Sequence, residues 1–84
     1  MPVVEIHPHA IGRGPERGIT EGEIIETVLT GQSAPAKFGR MSFRKTFLYR
    51  GVWRGREYAS KEVEAIAVEI TGGWLVLTAI SRYF

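Results

Sequence analysis

The sequence predicts an α+β fold in which one or two N-terminal helices lie on an antiparallel sheet of three or four strands, all within a single domain spanning residues 1–84. Three observations carry this expectation. A capping signal precedes a helically spaced apolar stripe near residue 20, the chain from residue 41 onward alternates with period two, and glycines separate the alternating runs. A chain of 84 residues has room for one core and not for two.

Taken in order, "VVEI" is a short apolar alternation that fits a first strand at a sheet edge. In "HPHAIGRGPERG", His9, Arg13 and Arg17 have the i, i+4, i+8 spacing of one helical face. Gly12 and Gly14 weaken a helix there, and Pro15 has no N–H to offer the Ile11 carbonyl, so the expectation is one or two irregular turns. "ITEGEIIETVLTG" reads as a helix of about three turns. Thr20 and Glu23 form a capping box, Ile24, Ile25, Val28 and Leu29 make the apolar stripe, and Gly31 ends it. "QSAPAKFG" reads as a loop from its Pro, Ser and Gly.

"MSFRKTFLYR" is a half-buried strand with Phe43, Phe47 and Tyr49 on one face and Arg44, Thr46 and Arg50 on the other. "GVWRGR" supplies turn glycines. "EYASKEVEAIAVEI" is a longer strand, with Val63, Ala65 and Ala67 facing one way and Ile66, Val68 and Ile70 the other. "TGG" is a hairpin turn into "WLVLTAISRYF", whose apolar residues on both faces suit a central strand.

Composition excludes several classes. Cysteine is absent, which removes disulfides, thiolate metal sites and thiol nucleophiles. The N-terminus lacks the pattern of a signal peptide, and no apolar run is long enough to span a membrane, so the expected location is cytoplasmic. No nucleotide motif or phosphate-cradling glycine loop is present, and His7-x-His9 without a third ligand is an incomplete metal site, so no cofactor or metal is expected. Charge is uneven. Residues 37–61 hold eight Lys or Arg against Glu57 alone, a local +7 within a chain of net +2. Such a block creates a strong local field and fits a polyanion or an acidic partner; its alternative is a solvated sheet face or a charged edge.

The segments "HPHAIGRGPERGIT..EIIETV", "FGRMSFRKTF", "WRGREYASKEVE" and "WLVLTAISRYF", in that order, resemble a family of small bacterial and archaeal domains of unknown function. That family is similar to toxin components of toxin–antitoxin modules, of the BrnT type and more distantly the RelE-like ribonucleases. The chain departs from the family pattern at Gly12, Gly14 and Pro15, where helix-forming residues are usual. The resemblance implies a RelE- or barnase-like architecture and RNA binding or metal-independent RNA cleavage. Under that reading His9 is the general base, Lys61 a phosphate ligand at the reaction centre, and Tyr83 the acid or a stacking group. Arg13, Arg17, Arg40, Arg44 and Arg50 would hold phosphates. Each has a plainer alternative: His9 capping a turn with His7 in solvent, the arginines solvated, and Tyr83 closing the last strand. The alternatives at the level of function are a non-catalytic module for RNA or an acidic antitoxin-like protein, and a protein that dimerises through its sheet.

Overall fold

A computed structural model describes residues 2–84. Among them the order is β1 (Val3–Ile6), α1 (Pro8–Arg17), α2 (Glu21–Thr30), β2 (Gln32–Pro35), a single 3-10 turn (Lys37–Gly39), β3 (Met41–Trp53), β4 (Arg56–Ile70) and β5 (Gly73–Tyr83). The strands form one five-stranded sheet in the order β1-β5-β4-β3-β2. The α+β class with two N-terminal helices is as expected. The sheet is larger and mixed: β2 to β5 pair antiparallel, and β1 runs parallel to β5.

Two local expectations are corrected. Residues 8–17 form a helix despite Gly12, Gly14 and Pro15. Pro8 occupies the first turn, where a missing N–H costs nothing, and the His7 side chain caps the end by accepting from the His9 N–H through Nδ1 at 3.0 Å. The helix then packs on β5, with the small residues Ala10 and Gly14 buried. A methyl group on Gly14 would lie 2.7 Å from the Ile19 carbonyl oxygen, so close approach rather than helix propensity selects glycine here. Second, Gln32–Pro35, read as a loop, is the edge strand β2 paired to β3. All four of its side chains are exposed, so no alternation marked it in the sequence.

The helix near residue 20 forms as expected. Thr20 Oγ1 accepts from the Glu23 N–H at 3.1 Å, and Glu23 Oε1 accepts from the Thr20 N–H at 3.0 Å. Both helices cover the same face of the sheet, α1 over β5 and α2 over β3 and β4. Ile19, Ile24, Val28, Phe43, Val63, Ala65, Ala67, Val76 and Ala79 make the core between the layers. Each large member buried there contributes about 1.5–3 kcal/mol. The small Ala65 and Ala67 leave space above β4 across which Phe43 meets Trp74 edge-on at 5.0 Å. Among the described residues no element covers the opposite face of the sheet.

Period two holds along β3: Phe43 is buried and Phe47 and Tyr49 half-buried, while Arg44, Thr46 and Leu48 are exposed. The register slips between Leu48 and Gly51, where Arg50 adopts φ 48°. Arg50 therefore sits in a bulge, and period two does not set its direction. Arg54 (φ 50°) and Gly55 (φ 80°) make the two-residue turn into β4.

Candidate functional site

The sequence's basic block lies mainly on β3, β4 and the turns at their ends, and the fold divides its cations into two groups. The first group is neutralised. Arg44 Nε lies 3.2 Å from Glu64 Oε2, Lys45 Nζ 3.4 Å from a Glu26 carboxylate oxygen, and Lys61 Nζ 2.7 Å from a Glu23 carboxylate oxygen. The second group comprises Lys37, Arg40, Arg50, Arg54 and Arg56, all exposed. Among the described residues none of them has a carboxylate within 4.0 Å. Lys37 and Arg40 flank the exposed Phe38 at one end of β3, with the Arg40 guanidinium 5.6 Å from that ring. Arg50, Arg54 and Arg56 gather at the other end, around the β3–β4 turn.

That turn is fixed to α1. Arg54 donates to the Glu16 carbonyl at 2.8 Å, which closes the C-terminal end of the helix, and its guanidinium covers Trp53 at 5.3 Å. Trp53 stacks on Tyr83 (5.0 Å, 15°), and Tyr49 and Tyr58 approach Tyr83 at 5.1 and 5.5 Å. Four aromatic rings thus make a pedestal beneath the guanidinium groups of Arg54 (over Trp53) and Arg56 (over Tyr58), with Arg50 in the bulge of the same hairpin. Glu57 is the one acid on this part of the hairpin, opposite Val52.

Lys61 lies beneath the pedestal. Only 5% of it is exposed, and it donates to the Gly18 carbonyl at 2.8 Å besides pairing with Glu23. Its ammonium also lies 5.4 Å from the Tyr49 ring and 6.0 Å from that of Tyr83. Two oxygen partners and this burial leave little of the ammonium open to a phosphate from solvent. The Tyr83 hydroxyl donates to the Arg17 carbonyl at 3.1 Å. Burial pushes its pKa above the ordinary 10, against a smaller opposing effect of the Ser81 hydrogen bond. Tyr83 is therefore a protonated strut between the last strand and the end of α1.

His9, Arg13 and Arg17 do follow one side of α1, as their spacing implied once the segment is helical. His9 and Arg13 are exposed, and Arg13 pairs with Glu16 at 3.2 Å. Arg17 turns inward and donates to the Ala79 carbonyl at 2.6 Å. His9 stands at the opposite end of α1 from Arg17, about 12 Å away along the axis at 1.5 Å per residue. Lys61 and Tyr83 contact that far end, so the fold does not bring His9 together with them. The capping role belongs to His7 and not to His9.

Arg44 belongs to a network on the open face. Glu64, with 8% of its side chain exposed, accepts from Ser42 Oγ (2.7 Å) and Arg44 Nε through one oxygen, and from Arg82 (3.2 Å) through the other. Arg82 also pairs with Glu62 at 3.0 Å. Burial alone would raise the Glu64 pKa; the bonds from Ser42, Arg82 and Arg44 outweigh it and hold the carboxyl below its ordinary 4.5.

Sequence reasoning did not single out Arg54 and Arg56. The signal was available in "WRGR", where a two-residue turn between strands exposes Arg54 within it and Arg56 just after it. Among the described residues no group of three or more His, Asp or Glu is placed to hold a metal, and no helix is long and apolar enough to cross a membrane. No family model, curated protein or solved structure matches the chain.

Proposed function

We propose that this chain is a non-catalytic RNA-binding module that holds a single strand by its phosphates at the β3–β4 turn. One observation carries the reading: Arg50, Arg54 and Arg56 are exposed, unpaired and clustered, whereas the other cations of the basic block's sheet region are consumed by carboxylates. Guanidinium groups on a stiff pedestal lose little freedom on binding, and their planar forks suit phosphate oxygens. The exposed His9–Arg13 side of α1 extends the same surface, joined to it where Arg54 meets Glu16.

RNA cleavage remains the second reading, favoured by the exposure of His9 with Arg13 one turn away. With Lys61 and Tyr83 engaged by the end of α1, the departing 5′ oxygen would take its proton from solvent water while His9 accepts that of the 2′-hydroxyl. The two helices ahead of four antiparallel strands support the RelE-like reading, although β1 precedes them and runs parallel to β5, and an acidic antitoxin-like protein would use the same guanidinium groups.

The test is titration of a labelled oligoribonucleotide with the protein and with an Arg50→Gln, Arg54→Gln, Arg56→Gln variant, with intact RNA quantified at the end. Salt-sensitive binding, lost in the variant, with the RNA uncut is the expected outcome. Wild-type protein that does not bind RNA sinks the reading, and cleavage lost in His9→Ala would replace it with the second one.

A further inference from the structure

The helices cover one face of the sheet, and the other is built to be covered as well. On β4 and β5 it presents Ile66, Val68, Ile70, Leu75 and Ile80, all half-buried by their own neighbours although no element lies over them. Beside this apolar area stands the Arg44–Glu64–Arg82–Glu62 network, two cations and two anions. Both Glu64 oxygens already accept hydrogen bonds, and no buried side-chain polar atom among the described residues lacks a partner. Covering this face would therefore strand no carboxylate of that network, whose desolvation cost is largely met in advance. Glu5, exposed beside Leu75 on the edge strand β1, is the one unpaired acid among the described residues of this face, at the margin.

We infer that this face is an isologous dimer interface, its occupant a second copy of this chain packed sheet on sheet. Charge selects that occupant. Two copies of a chain that carries a local +7 repel each other through their basic turns, but the open face brings an apolar area and a neutral network against the same. A strand of RNA finds no unpaired cation there, and an acidic partner meets the unpaired carboxylate of Glu5.

Size agrees. Rows from Glu62 to Ile70 of β4 run about 26 Å, and with the four-residue β1 and β2 at the edges the five strands give a flat footprint of roughly 500 Å². Side-chain relief raises the accessible area toward the roughly 800 Å² per partner that stable complexes bury. Aligned sheets pack about 10 Å apart at about 30°, which leaves both β3–β4 turns free at the margins. The inference stands independently of RNA binding.

Sedimentation equilibrium decides it. The 9.4 kDa chain is expected to sediment at about 19 kDa at micromolar concentration. Val68→Glu places a charge in the middle of the apolar area, outside the core under the helices. It should weaken self-association at least tenfold while leaving the circular dichroism melt in place. Because the chain has no cysteine, Thr78→Cys introduces a single thiol on this face, and oxidation should link two copies. A wild-type chain that stays at 9.4 kDa at every concentration overturns the inference, as does a Val68→Glu variant that remains dimeric. RNA affinity of monomeric Val68→Glu, compared with wild type per chain, separates failure here from failure of the RNA reading.

Discussion

Replacing Lys61 with Met separates a structural lysine from a phosphate-binding one. Methionine nearly preserves the volume, so the loss is electrostatic. It removes the 2.7 Å partner of Glu23 and the 2.8 Å donor to the Gly18 carbonyl. Breaking a fully buried ion pair costs about 3–5 kcal/mol. Glu23 keeps the Thr20 N–H, and 22% of its side chain meets water, so the lower value of about 2–3 kcal/mol applies. For a domain of this size each kcal/mol moves the melting temperature by about 4–8 °C, which gives a fall of about 10–20 °C. Differential scanning calorimetry reads this directly, and RNA affinity is measured below both transitions. The folded variant should bind RNA within about twofold of wild type. A double variant with Glu23→Gln should recover about 1–2 kcal/mol, because the two groups act as one unit. If Lys61→Met melts within a few degrees of wild type and loses RNA binding tenfold, the ammonium reaches the ligand and the structural assignment is refuted.

Other perturbations follow from the same contacts. Gly18→Ala should cost about 2–4 kcal/mol in denaturant unfolding, since the residue has φ 66° and an added methyl collides with the Tyr83 hydroxyl and, at 2.8 Å, with Trp53. Glu64, with its pKa held below 4.5, stabilises the fold above that pH, and the contribution drains away as pH falls through its lowered value. Glu64→Gln should flatten the acid limb of a stability–pH profile below pH 4.5; an unchanged acid limb would remove Glu64 from the account. Tyr83, raised above 10, contributes fully below that pH and loses its contribution as pH rises through the shifted value. Tyr83→Phe should abolish that alkaline loss, cost about 1 kcal/mol at neutral pH and leave RNA affinity intact, whereas a hydroxyl bonded to the bound RNA would lose affinity with it.

Much of this fold is legible in local chemistry. The Thr20–Glu23 capping box and the period-two runs place α2, β3, β4 and β5, because capping and pleat are properties of neighbouring residues. The parts that resisted reading depend on distant contacts. α1 forms because it packs on β5 with Ala10 buried, and Gly14 lets the Ile19 carbonyl close on it, which offsets the weak propensity of Gly12 and Pro15. β2 exists because β3 offers it an edge, although its exposed side chains carry no pattern. The candidate site fared similarly. The basic block was evident as a block, yet which cations stay free depends on Glu23, Glu26 and Glu64, which approach from α2 and β4. Lys61 and Tyr83 looked available in sequence because nothing there showed that the end of α1 occupies them.

The most direct measurement is the salt dependence of RNA affinity for wild type and for the Arg50→Gln, Arg54→Gln, Arg56→Gln variant. Three phosphate contacts on a single strand contribute about 2 to the slope of log K against log salt, at about 0.7 per contact. Wild type should show at least that slope, and the variant should lose about 2 from it together with most of its affinity at low salt. Equal slopes for the two proteins, or wild-type affinity that does not change with salt, would contradict an RNA site at the β3–β4 turn.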